Sequence, residues 1–328
     1  MRRIAVGLIG AGKHGQRYAQ HIGSEVPELV LTALSRQDAA AGTGQARVLG
    51  ARFHADWRAL VDDPAVDAII AVVPPTLHPA IVEAVTAAGK ALLIEKPLAV
   101  TGAAAAGIVA RVRATGVPCL MAHTLRWNTV VRTFRDRLPS LGPLRALVLN
   151  QRFEPSRLGW LDDPAICGGG ILLHTGVHSF DLVRFLTGRE VARVWCRSAR
   201  VDTTRTEDNF TAILELAGGL PLVTVTGSRS SGGRSGLIDA AGANGQLVAD
   251  HALGFAYTVR GLERTPVELP ATVPTVREAL RAFVRLVIDR ERPPVAIEDG
   301  ARAVLIAEAC RQSAGSGTAV AVAPLAGI

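Results

Sequence analysis

The chain has 328 residues, of which 48% are apolar, 20% charged and 4% aromatic, a globular composition with room for two ordinary domains. Its net charge of +7 comes from basic residues interleaved with acidic ones, with no basic block, which argues against nucleic-acid binding. No apolar run approaches the ~20 residues that cross a bilayer.

Residues 3–9 form the first strand candidate. Met1-Arg2-Arg3 ahead of it has the look of an export signal. Gly7, Gly10 and Gly12 break the apolar stretch, however, and Lys13-His14 ends it without a cleavage site, so a cytoplasmic protein is expected. A helix is predicted over 13–22, a second strand over 28–34 and a helix over 38–49. The apolar run at 68–73 has the character of a strand buried on both faces of a parallel sheet. A helix from His78 to Ala88, a strand at 91–94, a helix at 103–114 and a strand near 118–122 complete an alternation that predicts a doubly wound parallel sheet. Beyond residue 123 longer alternating runs appear at 144–153, 191–202, 208–217, 220–229 and 235–240. Helices are predicted at 171–186, 275–289 and 298–313. The fold class is therefore α/β, with a dinucleotide-type domain over 1–122 and, over 123–328, an α+β domain on a large, mostly antiparallel sheet.

Gly10-Ala11-Gly12-Lys13-His14-Gly15 is a G-x-G-x-x-G between a strand and a helix. Glycines there allow a tight turn and close backbone approach to a pyrophosphate, beside a helix N-terminus with free N–H groups. The ribose-reading position after the second strand holds Ser35 and Arg36 rather than an acid, which favours the 2′-phosphate of NADP over NAD. Of 36 basic residues only Lys13, Lys90 and Lys96 are lysines. Lys96, in Glu95-Lys96-Pro97 at the carboxyl edge of the 91–94 strand, stands where ligands bind such sheets. It can donate to a substrate oxygen.

On a regular helix His174, His178 and Asp181 share one face at i, i+4, i+7, offering imidazoles that titrate near neutrality. Two histidines at this spacing also suit zinc, but no third ligand is evident. Cys119, Cys167, Cys196 and Cys310 lie far apart, so reduced core thiols are expected rather than a metal or disulfide framework.

The glycine loop, Glu95-Lys96-Pro97 and the Gly168–Gly188 stretch with His178 together resemble the Gfo/Idh/MocA (glucose-fructose oxidoreductase / inositol dehydrogenase) family over nearly the whole chain. The resemblance implies a Rossmann domain and a second domain whose open sheet forms a homodimer or homotetramer. It also implies reversible NAD(P)-dependent oxidation of a hydroxyl on a sugar, inositol or related polyol. Lys96 would polarise the reacting oxygen, His178 would exchange its proton, and His174 would relay that proton or position the substrate. Cofactor contacts are expected from Gly10, Gly12, Lys13, His14, Gly15, Ser35, Arg36, Pro74, Thr76, His78, Glu95 and Lys96. Substrate contacts are expected from Arg126, Asn128, Trp160, His174 and Asp181, with Arg152 and Asp162 nearby. The chain departs from the family at His174, where Asp is usual, and at Val73 and Pro75, which lose polar side chains. Two rivals are a non-catalytic NAD(P)-responsive regulator, disfavoured because Lys96 and His178 are both kept, and a reductase of a non-sugar carbonyl or imine.

Overall fold

The computed structural model describes residues 3–156 and 158–325; Met1 and Arg2 lie outside them. The first half runs β1 (Ile4–Ile9), α1 (Lys13–Ser24), β2 (Leu29–Ser35), α2 (Ala39–Leu49), β3 (Arg52–His54), α3 (Trp57–Asp62), β4 (Ala68–Ala71), α4 (His78–Ala87), β5 (Ala91–Glu95), α5 (Gly102–Thr115) and β6 (Cys119–Ala122). Its six strands are all parallel, in the order β3-β2-β1-β4-β5-β6. Every residue of β4 and β5 is buried, as a sheet covered on both faces demands. The order reverses between β1 and β4, so a crevice opens beyond their carboxyl ends.

The second half contains α6 (Thr129–Arg137), β7 (Leu144–Arg152), α7 (Pro164–Cys167), α8 (Val177–Thr187), β8 (Val191–Ala199), β9 (Asn209–Leu216), β10 (Gly219–Ser228), β11 (Ser235–Gly242), β12 (Gly245–Asp250), β13 (Phe255–Arg260), β14 (Glu263–Pro266), α9 (Thr275–Ile288), α10 (Ile297–Ser316) and β15 (Val320–Ala321). Nine strands form one sheet in the order β14-β13-β12-β11-β7-β10-β9-β8-β15. All pairings are antiparallel except β7 with β10. Helices α8 and α10 pack on one face, and α10 also contacts α5 while α9 contacts α1 and β6. The last two helices thus tie the second sheet to the first half, helped by an ion pair from Arg277 to Glu25 at 2.9 Å.

The opposite face of the large sheet is open. Trp195, Ile213 and Thr224 are cross-strand neighbours on it, and Trp195, Ile213 and Leu222 are exposed. Strand β3, helix α3 and strands β12 to β15 were not expected from the sequence. Apart from β12 they are short or half-exposed, so their apolar pattern is weak.

The predicted helix over 171–186 begins differently. Leu172–Gly176 is a π-helical turn that leads into α8. The Glu207 carbonyl accepts from the Ile171 amide at 2.7 Å, and its carboxylate accepts from Gly170 and Leu172 at 3.1 and 3.2 Å. These bonds satisfy amides that would otherwise be orphaned at the start of the helix. The wider turn abolishes the simple three-residue face expected for His174, His178 and Asp181.

Candidate active site

The loop after β1 is built by two glycines for steric reasons and one glycine that the fold does not need. Gly10 has φ +92, and a Cβ there would lie 2.1 Å from the Val72 carbonyl oxygen; at Gly15 it would lie 2.2 Å from that of Gly10. Gly12, the N-cap of α1, has φ −75, and a Cβ on it would meet no protein atom within 4 Å. No protein atom therefore demands a glycine at position 12. Open space against free helix-start amides is the cradle a pyrophosphate requires, so these residues fit a dinucleotide. The Gly10 and Ala11 amides both donate to the Ser35 carbonyl, at 2.9 and 3.2 Å, binding the loop to the end of β2.

Just past β2, the Asp38 side chain caps α2 through the Ala41 amide at 3.0 Å, which directs that carboxylate away from a ribose. Arg36 is half-buried and makes only a 3.4 Å bond to Gln45.

Beyond β5, Glu95 is 4% exposed. It accepts from the Tyr18 hydroxyl at 2.6 Å, meets His14 Nε2 at 2.7 Å and accepts from the Lys96 amide at 3.0 Å. Burial works to raise its pKa, but the bonds from His14 and Tyr18 and the Lys96 charge outweigh it and hold the carboxyl below its ordinary range. The Lys96 ammonium donates to the His174 carbonyl oxygen at 3.1 Å. This joins the first half of the chain to the π-helical turn of the second. Burial lowers the Lys96 pKa, Arg229 adds to the effect, and Glu95 opposes it.

His178 is half-buried, with its Nδ1 enclosed and without a partner. Its pKa is driven well below the ordinary value by burial first, then by Lys96, His123, His251 and His14. The imidazole is therefore neutral at physiological pH, and a neutral ring can accept a proton. His123, at the end of β6, touches it edge-on with ring centroids 6.3 Å apart; it is buried, and both its nitrogens lack partners. Gln151 pairs in register with Gly236, over which the His251 ring lies, and its Oε1 is enclosed and unpaired. Isolated histidines and a strand-end glutamine carry no local motif, so His123, His251 and Gln151 escaped sequence reasoning. Topology alone assembles them.

His174 is buried. Its Nε2 is bonded to the Cys167 carbonyl at 3.0 Å, and since a carbonyl only accepts, that nitrogen carries the proton. Trp160 meets it edge-on at 5.8 Å between centroids. Burial, Lys96 and Arg229 push its pKa down to about 3, against the Cys167 carbonyl. A ring whose N–H is tied to a main-chain carbonyl suits a fixed wall rather than the relay expected for it. Thr76, on the loop after β4, donates to the Ile166 carbonyl at 3.3 Å and so reaches across to α7; Pro74 is half-buried on the same loop, and Lys13 is exposed.

Several residues expected at the site are engaged elsewhere. His78 is fully buried, with Nδ1 on the Leu98 carbonyl at 3.0 Å, so it braces the α4 start instead of touching a cofactor. Asn128 caps α6, accepting from the Val130 and Val131 amides at 3.0 and 3.2 Å. Arg126 and Asp181 bind each other through two bonds of 2.9 and 2.6 Å, and Asp299 joins them at 3.2 Å. This ion cluster holds α8 and α10 to the segment after β6 instead of facing substrate. Asp162 accepts from the amides of Thr204, Arg205 and Thr206. Among the described residues no group of three or more His, Cys, Asp or Glu stands ready to hold a metal ion.

Comparison with known proteins matches residues 4–123 to the oxidoreductase family model with an NAD-binding Rossmann fold, and residues 141–248 to the Gfo/Idh/MocA C-terminal domain. Inositol 2-dehydrogenase 2 of Saccharopolyspora erythraea is 27% identical over 326 residues, covering 97% of this chain and 95% of that protein. An aldose-aldose oxidoreductase from Caulobacter crescentus, complexed with glycerol, superposes with a TM-score of 0.88 at 22% identity, covering 98% of this chain and all of the other. A levoglucosan dehydrogenase in complex with NADH and levoglucosan gives 0.89 at 20% identity over 98% of this chain. At these identities the two structures establish likeness of fold.

Proposed function

Because the chain belongs to the Gfo/Idh/MocA family of oxidoreductases, we propose that it transfers hydride between a nicotinamide cofactor and the hydroxyl-bearing carbon of a sugar, inositol or related polyol, preferring NADP. Gly10, Gly12 and Gly15 cradle the pyrophosphate, Ser35 and Arg36 take the 2′-phosphate, and Pro74, Thr76 and Glu95 border the site. The bound nicotinamide supplies the hydride acceptor in oxidation and the donor in reduction. His178 takes the hydroxyl proton during oxidation and returns it in reduction. Lys96 donates to the same oxygen and offsets its growing negative charge. His174 and Trp160 form one wall.

The observation that carries this reading is the meeting of Lys96 with the π-helical turn just ahead of a neutral His178, an ammonium and a base brought together from separate halves of the chain. Its test is Lys96→Met and His178→Asn assayed by NADPH absorbance across sugars, inositols and keto-sugars, with cofactor binding followed separately by fluorescence. Lys96→Met should abolish turnover and keep cofactor binding, and His178→Asn should cost on the order of 10²-fold or more. Turnover surviving Lys96→Met removes the mechanism.

We further propose that the open sheet face carrying Trp195, Ile213 and Leu222 joins two or four copies of the chain. Light scattering should show Leu222→Arg shifting the assembly toward monomer, and an unchanged mass would refute this.

A further inference from the structure

Among the described residues, Arg229 at the site has an enclosed guanidinium nitrogen that no protein group hydrogen-bonds. Arg229 follows β10, with its amide bonded to the Asp208 carbonyl at 2.8 Å. It is 9% exposed, and its Nη2 is enclosed without any hydrogen-bond partner. Three carboxylates lie in its electrostatic neighbourhood, those of Glu207, Asp208 and Asp162. Each is directed elsewhere: Glu207 at the Gly170 and Leu172 amides, Asp208 at those of Val201, Asp202 and Thr203, and Asp162 at those of Thr204 to Thr206. An enclosed guanidinium without a paired anion is strongly unfavourable unless a ligand completes it.

Lys96 adds positive charge nearby, and the neighbouring carboxylates, though charged, spend their oxygens on other donors. Arg229 is near enough to Lys96 and His174 to make both harder to protonate. Glu95 is occupied by His14 and Tyr18, and position 174 presents a neutral imidazole bonded to Cys167. A neutral polyol would offer the unpartnered Arg229 nitrogen a hydroxyl oxygen but no charge. A planar or tetrahedral oxyanion accepts from a guanidinium fork through paired bonds. We infer that Arg229 receives an oxyanion carried by the substrate, a carboxylate or a phosphate group, so that the substrates are acidic sugar derivatives. This rests on the polyol reading above and narrows it.

The test uses the full chain saturated with NADPH and measures binding by calorimetry and by thermal shift. The probes are D-gluconate and D-glucuronate for the carboxylate arm, glucose 6-phosphate for the phosphate arm, and glucose and myo-inositol as neutral counterparts. An acidic probe should bind at least about tenfold tighter than its neutral counterpart, with an affinity that falls as salt rises. Arg229→Gln should cut the acid-to-neutral affinity ratio by about 10²-fold, and the arm that responds identifies the oxyanion. Arg229→Lys, which keeps the charge but loses the fork, serves the same purpose if the glutamine variant does not fold. Acidic and neutral probes binding alike, no acid binding, or an acid affinity indifferent to both variants overturns the inference. Lys96-dependent oxidation of neutral sugars alongside any of those results would leave the broader reading intact, whereas turnover that survives Lys96→Met would sink that reading by itself.

Discussion

The three glycines of the first loop should respond to alanine in opposite ways, because the structure gives each a different reason to be glycine. At Gly10 an added Cβ meets a carbonyl oxygen at 2.1 Å with φ at +92, and at Gly15 it meets another at 2.2 Å. Both contacts are with backbone, which cannot swing aside. Each substitution should cost at least about 1–3 kcal/mol of stability, the usual scale for forced overpacking. At Gly12 the backbone is ordinary and the space is empty. Alanine there should change the stability of the cofactor-free protein by less than about 1 kcal/mol, the gain from a less flexible unfolded chain offsetting the loss of glycine at the N-cap. The same methyl would project into the space assigned to the pyrophosphate. Displacing the phosphate by the overpacking scale of about 1–3 kcal/mol weakens the dissociation constant roughly 5- to 150-fold. Denaturant unfolding of the apo protein gives the first quantity and NADPH fluorescence titration the second. Gly12→Ala protein that binds NADPH as tightly as the parent would refute the placement of the phosphates. Apo protein that is strongly destabilised would refute the claim that the fold does not require this glycine.

Asp181→Asn should destabilise the protein by about 3 kcal/mol, since it strips one partner from a buried pair, while leaving KM unaltered; a raised KM at unchanged stability would restore Asp181 to the substrate. Arg36→Asp should weaken NADP binding about 10- to 100-fold, the value of a charge-assisted bond, and affect NAD little; equal losses for both cofactors would refute a 2′-phosphate contact. His78 is pushed down to about 4 by burial, against bonds from Leu98, Val73 and Pro97. Its folded form therefore prefers the neutral ring, so the stability it confers is complete above pH 6.5 and is lost as pH falls from there toward 4. Denaturant midpoints should decline over that window, and a midpoint flat from pH 7 to pH 4.5 would contradict the buried neutral ring.

The first sheet was legible in the sequence because parallel strands covered on both faces leave unbroken apolar runs, as at 68–73 and 91–94. Strand β3 was not, since three half-exposed edge residues carry no period. Where chemistry and chain order coincide, as in the glycine loop and Glu95-Lys96, the local geometry agrees with the sequence pattern, whereas the π-helical turn at Leu172–Gly176 left no trace in the histidine spacing. The pattern misled where a polar residue's partner lies far along the chain. Arg126 and Asp181 are 55 positions apart, yet they satisfy each other, and neither neighbourhood hints at it. Asn128 was readable in principle, because an asparagine just before an apolar helical run is a capping signal. Arg229 gave no signal at all among so many arginines. It stands out only through an enclosed guanidinium nitrogen that no protein group hydrogen-bonds.

The tie between the Lys96 ammonium and the backbone oxygen of His174 has a consequence for how such a site can change. Because the anchor is main chain, the side chain at that position can be exchanged without unseating the lysine. Under the proposed mechanism, ligand preference can then drift, one substitution at a time, while the lysine stays in place.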